Sequence, residues 1–150
     1  MLKSKRFEPI QDIVATSAKD LSRAMGEAGR RVADLERQLE QLKTYREDYV
    51  TKSSGGSGAM DAVKLQNYRS FIDRLGDVLR QHLVKLDGAR AEYEQRRVQW
   101  SEKRVEAESL GRVIDRFRKE EQHVAEQREQ REGDDAAIRI AIARTEASNR

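Results

Sequence analysis

His82 and His123 are the side chains in this sequence with the best claim to acid–base or metal chemistry, because imidazole titrates near neutral pH and ligates metals readily. Their separation rules out a shared task. If both lie on one helix, a rise of 1.5 Å per residue puts them about 60 Å apart, far beyond the span of a metal site. A Ser/His/Asp arrangement needs a concave site to hold it. The glycine-rich stretch Gly55-Gly56-Ser57-Gly58 lacks the lysine and the fixed spacing of a phosphate-binding loop, so it reads as a flexible turn. With no cysteine, disulfides and thiolate metal centres are excluded. No catalytic constellation emerges and no cofactor is expected. The chemistry open to this chain is that of surfaces that bind other proteins.

Composition points the same way. Of the 150 residues, 38% are charged and 5% aromatic, and Pro9 is the single proline. Mean hydropathy is -0.91. A compact core needs more apolar material, whereas a coiled coil needs only two apolar positions in each seven. Net charge is +3, from 30 basic and 27 acidic residues. The two signs interleave, as in Glu92-Tyr93-Glu94-Gln95-Arg96-Arg97, and make a solvated surface. The basic pairs Arg96-Arg97 and Lys103-Arg104 do not form the concentrated face of a nucleic-acid binder, and no nucleic acid is expected as a partner. No apolar run approaches the roughly 20 residues of a membrane span. The opening Met1-Leu2-Lys3-Ser4-Lys5-Arg6 has no following apolar stretch of the signal-peptide kind. A cytoplasmic protein is expected, with membrane association only peripheral and through a partner.

The elements that position these surfaces follow from periodicity. From Val14 through Leu21, Val32, Leu35, Leu39 and Leu42, apolar residues recur at alternating steps of four and three. The same phasing resumes from Tyr68 through Ile72, Leu75, Leu79 and Leu86 and runs on to Leu110, Ile114, Phe117 and Val124. The expected fold is all-α: two long helices forming an antiparallel coiled coil, the second longer than the first. The expected division is a flexible segment over 1–9, a first helix over 10–52, a Ser/Gly loop over 53–59, a second helix over 60–132, and a weakly helical or disordered tail over 133–150. Pro9 suits a helix start, and Gly133-Asp134-Asp135 is a weak break. The helices would be about 65 Å and 100 Å long. A turn centred near Gly55 and Gly56 would place Leu42 against Tyr68, Leu39 against Ile72, Leu35 against Leu75, Val32 against Leu79, Met25 against Leu86 and Ala18 against Tyr93.

Two features stand outside the seam. With the first helix ending near Ile10, the stripe Leu110, Ile114, Phe117 and Val124 has no intramolecular partner; it is either a docking face or a frayed helix end. On the second helix, Phe71, Leu75, Val78 and His82 follow steps of four, three and four and form an apolar strip rotated off the seam. It is either a docking face or a locally wide seam. Tyr45, Tyr49 and Tyr68 cluster near the loop and would cap the tip of the coiled coil. Gly76, Gly88 and Gly111 lie off the seam, each at a cost of up to roughly 1 kcal/mol of helix propensity.

Several stretches resemble the FliJ family of the flagellar type III export apparatus. They are Leu39-x-x-Leu42-x-x-Tyr45-x-x-x-Tyr49 after Gly26-Glu27 and Glu36, then Asn67-Tyr68-x-x-Phe71-Ile72-x-x-Leu75, Gln81-His82 and Trp100-Ser101-Glu102-Lys103. Order, spacing and loop position fit over about residues 10–130. The resemblance implies a stalk-like coiled coil with three partners: the flagellar export ATPase FliI, the export-gate protein FlhA and export chaperones. It implies that the gate binds an apolar strip on the second helix, which falls here on Phe71, Leu75, Val78 and His82; the family tends to carry a smaller residue where Val78 stands. The end of the coiled coil would enter the ATPase ring, with Leu110, Arg112, Ile114, Arg116 and Phe117 as contact residues and Arg118, Glu120 and Glu121 adding charge. It implies a place in the cytoplasm at the inner-membrane export apparatus. The injectisome stalk proteins of virulence secretion and an unrelated coiled-coil adaptor are the alternatives.

Overall fold

A computed structural model describes residues 1–54 and 62–150. It contains two helices, α1 (Lys3–Ser54) and α2 (Ala62–Ser148), of 52 and 87 residues. They pack antiparallel as a helical hairpin, as the two seams require. The turn expected at Gly55 and Gly56 lies outside the described residues.

The end of α1 departs from the expected boundary for a local reason. The last turn of a helix leaves carbonyls without intrahelical donors. Here the Ser54 hydroxyl reaches the Thr51 carbonyl at 3.4 Å, both serine hydroxyls add to the Val50 carbonyl at 2.8 and 3.0 Å, and Lys52 places a positive charge in the same turn. The two serines therefore extend the helix instead of opening the loop.

Contacts group into two units. The first comprises Ala18–Glu102. Its core is Leu39, Leu79 and Leu86, with Val32, Leu35 and Leu42 packed against them. The register differs from the expected one. Tyr68 meets Tyr49 in place of Leu42, with ring centroids 5.8 Å apart. Leu35 meets His82 in place of Leu75, and the His82 imidazole lies 3.0 Å from the Leu35 carbonyl. Both shifts are one heptad. A seam that repeats every heptad stays apolar-on-apolar under such a shift, so the repeat alone cannot select the register. Pairs that do not repeat select it: Arg31 with Glu92 and Arg90 with Glu36, each at 3.1 Å. These exposed ion pairs contribute little energy, about 0–1 kcal/mol each, and add to the buried and aromatic pairs that distinguish this register. Tyr93 lies against Gly29, not Ala18. A Cβ at Gly29 would sit 3.3 Å from the Tyr93 ring, so glycine lets the ring lie close to the α1 backbone.

The other unit comprises Met1–Ser17 and Lys103–Arg150. Residues 1–9, expected to be flexible, are helical from Lys3. Pro9 is therefore interior to α1 rather than at its start. An interior proline removes one backbone hydrogen bond and costs about 3 kcal/mol. Contacts on either side of it offset that cost. Phe7 packs on Phe117 with centroids 5.4 Å apart, Glu8 pairs with Arg118 at 3.0 Å, and Val14 is buried.

This earlier start overturns the expectation that Leu110, Ile114 and Phe117 lack an intramolecular partner. Ile114 is 0% exposed, and Phe117 and Leu110 are half-buried. Of the expected unpaired stripe, Val124 is the member left open, at 56% exposure. Gly133-Asp134-Asp135 does not interrupt α2, and the tail expected to be weakly helical or disordered is helical to Ser148, with residues 122–148 exposed.

The start of α1 is held by a carboxylate from the opposite helix. Ser4 is buried; its backbone N–H donates to one Glu121 carboxylate oxygen at 3.0 Å and its hydroxyl to the other at 2.6 Å. The first turn of α1 contains no acidic residue of its own, so Glu121 supplies both the acceptor and the negative charge that a helix N-terminus favours. The Ser4 side-chain hydrogen bond, followed by the Ser4 backbone hydrogen bond, holds the Glu121 carboxyl below the usual carboxylate range. A depressed folded-state pKa means that this contact stabilises the fold above the ordinary glutamate range and is lost as pH falls through the lowered value. Glu121→Gln is expected to remove that pH dependence. Protection of the amides of residues 4–8 against hydrogen exchange, with the intrinsic pH dependence divided out, should then be lower than in the parent chain at neutral pH and change less on acidification.

Candidate protein-binding surfaces

The strip Phe71, Leu75, Val78 and His82 survives as one face of α2 but divides by depth. Leu75 and His82 are buried between the helices. The Leu35 carbonyl can only accept, so the His82 Nε2–H donates to it; that ring is part of the hairpin's own packing. Phe71 is half-buried in an aromatic cluster, 4.5 Å from Tyr49 and 6.2 Å from Tyr45 between centroids. Tyr45 and Tyr49 pack edge to face at 5.0 Å, and the Tyr49–Tyr68 contact completes the group. The tyrosine cluster expected near the loop is thus present, with Phe71 as a further member. Val78, 42% exposed, is the member of the strip most open to a partner.

Beside the strip lies an open groove that runs between the helices, lined by Gln38, Gln41, Leu42, Tyr45 and His82. Three of these, Gln38, Gln41 and Tyr45, are exposed residues of α1, and sequence periodicity did not single them out as a surface. Their signal was weak because glutamines off a seam look like ordinary solvated helix. The pairing of Leu35 with His82 brings Gln38 and Gln41 beside α2, and Tyr45 reaches it through Phe71.

The five residues expected to contact an ATPase ring also separate. Ile114 is enclosed, while Leu110 and Phe117 are half-buried between the helices. Arg112 and Arg116 are exposed. Neighbouring Arg118 is held by Glu8 at 3.0 Å and Asp115 at 3.7 Å.

Among the described residues, no group of three or more His, Cys, Asp or Glu side chains is placed to hold a metal ion. His82 sits in one contact unit and His123 in the other. No described helix is long and apolar enough to cross a membrane. The class defined by these features is an all-helical hairpin of two long helices. A family model described as the flagellar FliJ protein matches residues 3–146, nearly the whole chain. The chain belongs to the FliJ family, and it is a coiled-coil protein of flagellar type III export. No curated protein and no solved structure matches it significantly.

Proposed function

We propose that this chain is the stalk-like component that links the export ATPase FliI to the export gate FlhA and escorts export chaperones, acting at the cytoplasmic face of the export apparatus. The observation that carries the gate contact is the exposed edge of the α2 strip. Val78 stands open two turns along α2 from Phe71 and one turn from His82, which lines the groove together with Tyr45. A small apolar edge beside an aromatic-lined groove suits an apolar side chain of a partner, with a polar rim to orient it. Leu75 and His82 serve the contact from beneath by holding the strip's shape. For the ATPase ring the available side chains are Arg112 and Arg116, because Ile114 is enclosed and Leu110 and Phe117 are half-buried within the hairpin.

The test must separate docking from folding. Alanine at Leu75 or His82 disturbs both. Val78→Asp changes an exposed position, and calorimetric titration with the cytoplasmic region of FlhA is expected to show binding weakened by about tenfold or more, with unchanged far-UV circular dichroism. An unchanged affinity would remove the strip from the gate contact. Stimulation of FliI by an Arg112→Glu, Arg116→Glu variant tests the other end in the same way; undiminished stimulation would exclude those two residues.

A further inference from the structure

Pro9 divides the start of α1. It has no N–H to give the Lys5 carbonyl, so residues 3–8 are joined to the rest of α1 by one backbone hydrogen bond fewer. Side chains of α2 hold this segment in place. Ser4 bonds Glu121 through its N–H at 3.0 Å and its hydroxyl at 2.6 Å. Phe7 packs on Phe117 at 5.4 Å, and the Lys3 ammonium lies 5.6 Å from the same ring. Glu8 pairs with Arg118 at 3.0 Å. All these contacts fall on residues 117–121, little more than one turn of α2, so loosening one loosens its neighbours. Beyond Pro9 the attachment is deeper, with Val14 buried.

Release of the segment strands no charge. Arg118 already reaches Asp115 on its own helix at 3.7 Å. Lys3 and Glu121 border an open hollow, formed in part by Leu2, Phe117, Val124 and Ala125, where water can replace their partners. What resists release is the contact of two half-buried rings and the bonds between Ser4 and Glu121. Short segments held in this way open locally while the rest of a fold stays closed.

We propose that residues 3–8 are a latch over the ATPase-ring contact, a reading that rests on the ring contact proposed above. The segment lets go of α2 at Pro9, and its release presents Phe117 and the apolar surface running on to Val124 and Ala125. Closed, the latch leaves the ring only the exposed Arg112 and Arg116. Open, the same stretch of α2 offers an aromatic ring as well as arginines, the residue types that anchor protein interfaces. The ring then binds the open form, and the closed form lowers the apparent affinity by the fraction of chains that are open.

Two substitutions on α1 move the latch in opposite directions and leave α2 untouched. Ser4→Ala removes the hydroxyl bond to Glu121, and Pro9→Ala restores an N–H for the Lys5 carbonyl. In the full chain, hydrogen-exchange protection of the 6–8 amides is expected to be about tenfold or more below that of the 14–17 amides. Pro9→Ala should raise the 6–8 protection by about tenfold or more, and Ser4→Ala should lower it. The chain concentration that half-maximally stimulates FliI should rise for Pro9→Ala and fall for Ser4→Ala. Equal protection of the two groups of amides, protection indifferent to Pro9→Ala, or a stimulation midpoint that fails to move in opposite directions in the two variants overturns the latch. If Arg112→Glu, Arg116→Glu abolishes stimulation while the latch variants leave the midpoint unchanged, the latch alone fails. If the parent chain does not stimulate FliI, the ring contact fails and the latch with it.

Discussion

Ile114→Ala is expected to cost about 2–5 kcal/mol of stability, the range for deleting a buried isoleucine beyond its β-carbon. The side chain is 0% exposed. It lies in the unit where Phe7 packs on Phe117 and Ser4 is bonded to Glu121. The helix start is the weak side of this unit, because Pro9 already removes one backbone hydrogen bond from α1. A cavity at Ile114 therefore threatens a segment with little in reserve. Urea denaturation followed by far-UV circular dichroism gives the magnitude, and hydrogen exchange over residues 3–17 locates the loss. A change below about 0.5 kcal/mol, the size typical of a surface substitution, would mean that Ile114 does not face α1. The result also bears on function: an Ile114 variant that lost ATPase stimulation would first have to be shown to retain its helix start.

The second large effect is expected at Leu86, the centre of the other unit. Leu86 is 1% exposed and clusters with Leu39 and Leu79. Leu86→Ala is expected to cost about 3 kcal/mol, within the range of transfer loss plus residual cavity. Two-helix packing offers few further neighbours to collapse into the gap, which keeps the cost from falling to the transfer term alone. Val84, two residues away on the same helix, is 72% exposed, and Val84→Ala should stay within about 0.5 kcal/mol. The contrast between the two variants, read from paired denaturant midpoints, tests the observed register. Equal effects would mean that the face of α2 presented to α1 is wrong.

The off-seam strip on α2 shows how far a sequence can carry such a surface. Steps of four, three and four put Phe71, Leu75, Val78 and His82 on one helical face by geometry alone. Their depth does not follow from spacing. It depends on which α1 residues lie opposite, and that in turn depends on register. With Leu35 opposite Leu75, as the turn position suggests, His82 would have faced a different turn of α1. With Leu35 opposite His82, the imidazole gains a backbone acceptor and becomes part of the hairpin. The exposed part of this region is then Val78 on α2, with Gln38, Gln41 and Tyr45 on α1.

By itself the sequence determined the fold class, the antiparallel hairpin and the longer second helix. A seam alternating four and three is a local property, it has one geometric solution, and the glycine-rich stretch divides it into a shorter and a longer part. The family was legible as well, because tyrosines and a tryptophan at fixed places carry information that a heptad does not. The register, the start of α1 and the burial of Ile114 belong to the tertiary structure. A heptad repeat is nearly degenerate under a shift of one repeat, so pairs that do not repeat must break the tie: Arg31 with Glu92, Tyr93 with Gly29, Tyr49 with Tyr68. Likewise, helix propensity would end α1 at Pro9. Its extension to Lys3 is set by contacts more than one hundred residues away along the chain, Ser4 with Glu121 foremost, and these exist only once α2 is in place.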